Sequence, residues 1–122
     1  MNTARKITST NYQNQNFLED KCALNELIHL MSKRWMTEVL FSIEEGNNRF
    51  SSLKKSLEQI SDNILANRLR LLEYHNLIYK STVETEKTLK VAYALTGIGK
   101  ELSNLLDGLC KFAELHTDSF KF

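Results

Sequence analysis

The chain has 122 residues, room for one domain of about 100–150 residues with short tails. Lysine and arginine total 16 and aspartate and glutamate 15, so the formal net charge is +1; this excludes a histone-like polycation but not a DNA-binding protein whose charge is segregated along the chain. Apolar residues make up 42% and charged residues 25%, with no proline and four glycines, which argues against wholesale disorder and against a turn-rich all-β sandwich.

Residues 1–16 are rich in Asn, Gln and Thr, and their only large apolar groups are Ile7 and Tyr12. They lack the apolar stretch of a secretory signal and cannot offset their ordering entropy, so a mobile tail is expected over 1–16 and a folded domain over 17–122. From Phe17 the pattern changes. Leu24, Leu27, Ile28 and Met31 fall at i, i+3, i+4 and i+7, one apolar stripe of a helix. Trp35, Val39, Leu40 and Ile43 continue helically to Glu45, in a second helix, and Gly46-Asn47-Asn48 stops it.

A short helix follows, with Ser51 read as its N-cap and Leu53 and Leu57 on one face. Glu58-Gln59-Ile60 breaks the rhythm. Ser61 caps the next helix, which carries Leu65, Leu69 and Leu72 inward and ends near His75-Asn76. The period then changes to two. Ile78–Glu84 and Leu89–Leu95 read as paired strands around the polar turn Thr85-Glu86-Lys87-Thr88. Thr96 opens a last helix whose stripe is Leu102, Leu105, Leu106, Leu109, Phe112 and Ala113. The expected fold is mainly α with a small two-stranded β wing. A short helix, a tight break, a longer helix and a hairpin make a winged helix-turn-helix.

The charge follows this division. Residues 1–45 carry a net −1, residues 46–95 a net +3 and residues 96–122 a net −1. The positive block coincides with the helix-turn-helix and wing, where neutralising phosphates would release condensed counterions. On the helix from Ser61 to His75, Asn63, Asn67 and Arg70 recur at i, i+4 and i+7 beside Ala66. Asn pairs bidentately with adenine and Arg with guanine in the major groove, and Ala meets a thymine methyl. These four are the candidate base readers, although every amphipathic helix has a polar face. Arg68, whose phase falls near the leucine side, either braces the fold or reaches a phosphate. Arg49, Ser51, Ser52, Lys54 and Lys55, at the start of the preceding helix, are candidate phosphate contacts. Lys87 at the hairpin tip joins them, between Glu84 and Glu86.

Cys22-Ala23-Leu24, Lys33-Arg34-Trp35, Gly46, Arg49-Phe50-Ser51-Ser52-Leu53, Ile60-Ser61, Leu65, Arg68-Leu69-Arg70-Leu71-Leu72-Glu73, Leu77-Ile78, Tyr93-Ala94-Leu95-Thr96 and Gly99 together form a pattern. Over residues 20–115 it resembles HxlR-type winged-helix transcriptional regulators, bacterial relatives of the MarR group. The resemblance implies a homodimer built through the first and last helices and bound to pseudo-palindromic operator DNA. It also places Cys22 where several members sense oxidants or electrophiles through a thiol. Lys21 beside it and a helix start would favour the thiolate, whereas a small apolar filler is the plainer role. Cys110, beside Leu109, reads as packing. In a dimer, Cys22 of one chain would approach Cys110 of the other. The sequence departs from the family at Ala23, where Pro is frequent, at Met31-Ser32, where a Gly pair is usual, and at Asn76, where Gly is common.

Enzyme readings find little support. His29, His75 and His116 have no partners at metal-ligand spacing, and Thr96–Lys100 lacks the spacing of a phosphate-binding loop. No cofactor or metal is expected. Two cysteines are too few for a disulfide scaffold, and no apolar run approaches the ~18–20 residues that span a bilayer. The expectation is a cytoplasmic protein with no membrane partner. A rival reading, a winged-helix module that binds proteins and not DNA, stays open at this point. A small-molecule effector is not identifiable.

Overall fold

The computed structural model describes residues 22–120. The tail expected over 1–16 lies outside them. The chain forms two compact units, divided between Arg34 and Trp35.

In the first unit, residues 22–31 are helical (α1). Leu24, Leu27 and Ile28 of the predicted stripe are exposed, while Leu30 and Met31 are buried. The helix closes with Ser32 N–H donating to the Ile28 carbonyl at 2.8 Å and Ser32 Oγ donating to the His29 carbonyl at 2.9 Å.

The second unit runs α2 (Met36–Glu44), α3 (Phe50–Ser56), α4 (Asp62–Tyr74), β1 (Ile78–Glu84), β2 (Leu89–Leu95) and α5 (Gly97–Leu115). This is the expected winged helix-turn-helix. One detail differs at its start. Trp35, read from its spacing as helical, is the N-cap of α2 with φ 73°. Left-handed backbone costs an L-residue roughly 1–2 kcal/mol, so a bulky residue cannot sit there inside a helix. Behind it Met36, Val39, Leu40 and Ile43 all bury, which makes α2 the centre of the core. Gly46, with φ 112°, ends the segment in backbone that favours glycine.

The helix-turn-helix is built on Leu53, Ile60, Leu65, Leu69 and Leu72, all buried. Ser61 caps α4 as expected, its hydroxyl accepting from Ile64 N–H at 3.1 Å. The cap of α3 is different from the expected one. Arg49 is the N-cap residue, and Ser52, not Ser51, closes the end. Ser52 Oγ accepts from Arg49 N–H at 3.1 Å and donates to the Arg49 carbonyl at 3.0 Å. Phe50 therefore starts the helix one residue before Ser51. Buried Ser42 is satisfied by donating to Ser56 Oγ at 3.1 Å and accepting from Asn47 Nδ2 at 3.0 Å, as a buried hydroxyl requires.

The strands pair antiparallel from Ile78 opposite Leu95 to Glu84 opposite Leu89. Ile78 and Leu95 are buried at the root, and Val83 and Leu89 are exposed towards the tip. Thr85 and Thr88 close the turn through a 2.8 Å backbone bond and their hydroxyls. At the root, Asn76 has φ 61°, a conformation Asn tolerates better than most residues, which explains how it stands where the family commonly has Gly. Thr96 caps α5, accepting from Gly99 N–H at 2.9 Å and donating to the Asn76 carbonyl at 2.6 Å. A Cβ on Gly99 would lie 1.9 Å from the Leu77 carbonyl oxygen. The Leu-Thr-x-x-Gly step is thus the joint where α4, the wing and α5 meet.

Candidate nucleic-acid interface

With about 3.6 residues per turn, positions 63, 67 and 70 fall on the side of α4 opposite positions 65, 69 and 72. The burial of Leu65, Leu69 and Leu72 therefore turns the other face outward. Asn63 and Arg70 are exposed, and Ala66 and Asn67 are half-buried. Asn67 carries a constraint that spacing did not reveal. Its Oδ1 accepts from Arg68 Nη1. Bidentate contact to adenine uses both the oxygen and the nitrogen of an Asn side chain, so Asn67 would have to release Arg68 to read a base in that way. Arg68 itself is half-buried, in keeping with its phase near the leucines.

The candidate phosphate contacts divide into two groups. Arg49, Ser51, Lys55 and Lys87 are exposed. Ser52 and Lys54 are half-buried and already engaged. The Ser52 hydroxyl is held by the cap of α3. Lys54 Nζ donates to the Ile60 carbonyl at 2.6 Å and pairs with Asp62 Oδ1 at 3.0 Å. The helix α3 spans seven residues, under two turns, so contact there rests on side chains more than on a helix dipole.

The wing is coupled to the rest of the unit at Tyr93. Its backbone N–H donates to the Asn48 carbonyl at 2.8 Å. Burial, and next the Glu73 carboxylate of α4, push its phenol above the usual tyrosine value of 10.0.

Cys22 and Cys110 are both free and exposed. For Cys110 this corrects the packing role expected from Leu109 beside it. On this stretch of α5 the stripe is not covered: Leu105, Leu109, Phe112 and Leu115 are exposed. A stripe in the sequence shows where apolar groups align, not what they meet. Phe112 touches His116 and Phe120 with ring centroids 4.7 and 5.7 Å apart.

Between α2 and α5 an open hollow of about 380 Å³ is lined by Phe41, Glu44, Glu45, Asn104 and Asp107. Its carboxylates would repel a phosphate. Ser103, fully buried beneath, donates to Glu44 Oε1. Among the described residues, no group of three or more His, Cys, Asp or Glu could hold a metal ion, and no helix is long and apolar enough to cross a membrane.

Comparison with known proteins identifies the family and the fold. The family model for HxlR-like helix-turn-helix proteins matches residues 30–120. The uncharacterized HTH-type transcriptional regulator YvaP of Bacillus subtilis is 33% identical over 86 residues, covering 70% of this chain and 79% of YvaP. The solved structure of a MarR-family transcriptional regulator from Enterococcus faecalis superposes with a TM-score of 0.74 at 22% identity, over 95% of this chain and 96% of the other. The diamide-treated form of YodB from B. subtilis gives 0.66 at 25% identity, over 75% and 89%. These relatives are named as regulators of transcription, not as enzymes.

Proposed function

This chain belongs to the HxlR-like helix-turn-helix family of transcriptional regulators, and from that membership we propose that it acts as a homodimer on a pseudo-palindromic operator in double-stranded DNA. The observation that carries the reading is the two-sidedness of α4. Leu65, Leu69 and Leu72 are buried in the unit, and Asn63 and Arg70 stand exposed on the opposite side. In this reading α4 enters the major groove. Asn63, Ala66, Asn67 and Arg70 meet base edges, while Arg49, Ser51, Lys55 and Lys87 hold phosphates. Ser52 and Lys54 leave the phosphate set that the sequence suggested, because their polar groups are engaged within the protein.

The second copy would pack against the exposed apolar faces of the first and last helices. Leu105, Leu109, Phe112 and Leu115 on α5, and Leu24, Leu27 and Ile28 on α1, are the groups it would cover. Each of these two faces leaves several large apolar side chains exposed, as interaction surfaces do, and a twofold pairing would place two α4 helices for the two half-sites.

The test of the DNA reading is fluorescence anisotropy with a duplex from upstream of this protein's own gene, at two salt concentrations. Salt-dependent binding is expected. The variant Arg70→Ala should lose ~1–3 kcal/mol on the upstream duplex and relax preference at one base. No salt-dependent binding would favour the protein-interaction module instead.

A thiol response completes the proposal. Cys22 and Cys110 are free and exposed, and the YodB structure was obtained after treatment with diamide. Diamide would take two electrons and two protons from one Cys22 and one Cys110 of the two subunits, leaving a disulfide. A linked dimer on non-reducing gels, lost in Cys22→Ser, is expected. Monomer alone would sink the thiol response and leave the DNA reading standing.

A further inference from the structure

We propose that Lys54 is a positioning residue, which clamps the turn between α3 and α4 and so sets where α4 presents its base readers. Its ammonium joins three successive parts of the motif. The side chain leaves α3 within its last turn. Nζ donates to the Ile60 carbonyl at 2.6 Å, in the turn beyond the C-cap Leu57. It also meets the Asp62 carboxylate at 3.0 Å, on the first residue of α4 and next to Asn63. The Ile60 side chain is buried, so the peptide that accepts this bond is anchored in the core.

Two consequences follow from the chemistry of an ammonium. It has three N–H donors, and two acceptors already occupy it. Its charge is met by a carboxylate, which removes it from the cations that would replace counterions along a phosphate backbone. Geometry gives the clamp leverage. Arg70 lies seven residues beyond Asn63, about 10 Å along the helix. A tilt of about 10° at the turn would then move Arg70 by about 2 Å, several times the ~0.5 Å tolerance of a productive polar contact. Lysine is suited to this place because its flexible stem reaches both the carbonyl and the carboxylate, and arginine carries enough donors to replace it.

The base-reading consequence rests on the DNA-binding function proposed above. The clamp itself does not, and the experiment separates the two. In the full chain, Lys54→Met keeps the aliphatic stem and removes the ammonium. Amide hydrogen exchange over residues 57–63 of the DNA-free protein should accelerate about tenfold, as expected on losing a charged hydrogen bond. Lys54→Arg should restore it. Asp62→Asn, which removes the ion pair and keeps the carbonyl bond, should give a smaller acceleration and serves if Lys54→Met does not fold.

With DNA, anisotropy uses the upstream duplex and a shuffled duplex of equal length across a salt series. Lys54→Met should lower the preference for the upstream duplex about tenfold and leave the salt slope on the shuffled duplex unchanged, with recovery in Lys54→Arg. Unchanged exchange in both Lys54→Met and Asp62→Asn overturns the proposal. So does a slope shallower by about one with preference intact, the signature of a lost phosphate contact. If the unmodified protein binds neither duplex in a salt-dependent way, the DNA reading fails and the exchange result alone decides the clamp.

Discussion

Helices α4 and α5 carry the same kind of leucine spacing and put it to opposite uses. On α4, Leu65 and Leu72 are 0% exposed and Leu69 3%. On α5 only the first turns are buried, at Gly99, Leu102 and Ser103, while Leu105, Leu109 and Leu115 are 67%, 62% and 80% exposed. Both helices are amphipathic, so periodicity alone does not tell an internal core face from an outer one. The difference lies in what the chain places against each. The unit built on α2 encloses Leu65, Leu69 and Leu72 of α4, whereas among the described residues Leu105, Leu109 and Leu115 on the outer half of α5 stay exposed.

That contrast makes the largest expected effect a stability effect on α4. Leu72→Ala should cost ~2–5 kcal/mol, the range for emptying a closed core site. Urea unfolding at low protein concentration reads it as a lower midpoint. The matched change on α5, Leu109→Ala, should fall within ~0.5 kcal/mol under the same conditions, as for a surface position. A second measurement sharpens the comparison. If the proposed dimer closes over α5, sedimentation should show the unmodified chain as a dimer and Leu109→Glu as a monomer at the same concentration, because a carboxylate buried unpaired at the seam is costly. A large loss of stability for Leu109→Ala at low concentration would mean that α5 belongs to the monomer core and would break the contrast.

The legible parts of the sequence were those set by local chemistry. The α4 cap at Ser61, its three inward leucines, the strand limits and the α5 cap at Thr96 all follow from spacing and hydrogen-bonding groups close in sequence. Three things depended on contacts that spacing does not encode. Trp35 looks helical by its interval, yet its φ of 73° makes it a break. Ser52 and not Ser51 closes α3, because Phe50 begins the helix one residue earlier. Spacing marks Lys54 and Asn67 as candidate nucleic-acid contacts, yet in the fold they meet Ile60, Asp62 and Arg68. Cation counts gave the middle block its positive charge. They could not show that one of those cations is spent inside the motif.

The smallest expected effect probes the α4 side of the wing. Tyr93 sits where β2 passes Asn48 and comes under the influence of Glu73. Burial disfavours the phenolate, and the Glu73 carboxylate disfavours it further, so the folded protein holds the proton above the ordinary value of 10.0. A pKa raised by folding means that the folded state binds the proton more tightly than the unfolded chain. The corresponding stability is therefore complete below pH 10.0, the unfolded value, and is lost as pH rises from there through the folded pKa. Tyr93→Phe should remove that part of the alkaline loss and leave stability at neutral pH little changed. Urea midpoints at pH 8 and at alkaline pH would read it for both proteins. The same alkaline slope in both would show that Tyr93 is open to water, and that the wing root does not share the enclosure that sets α4 apart from the outer half of α5.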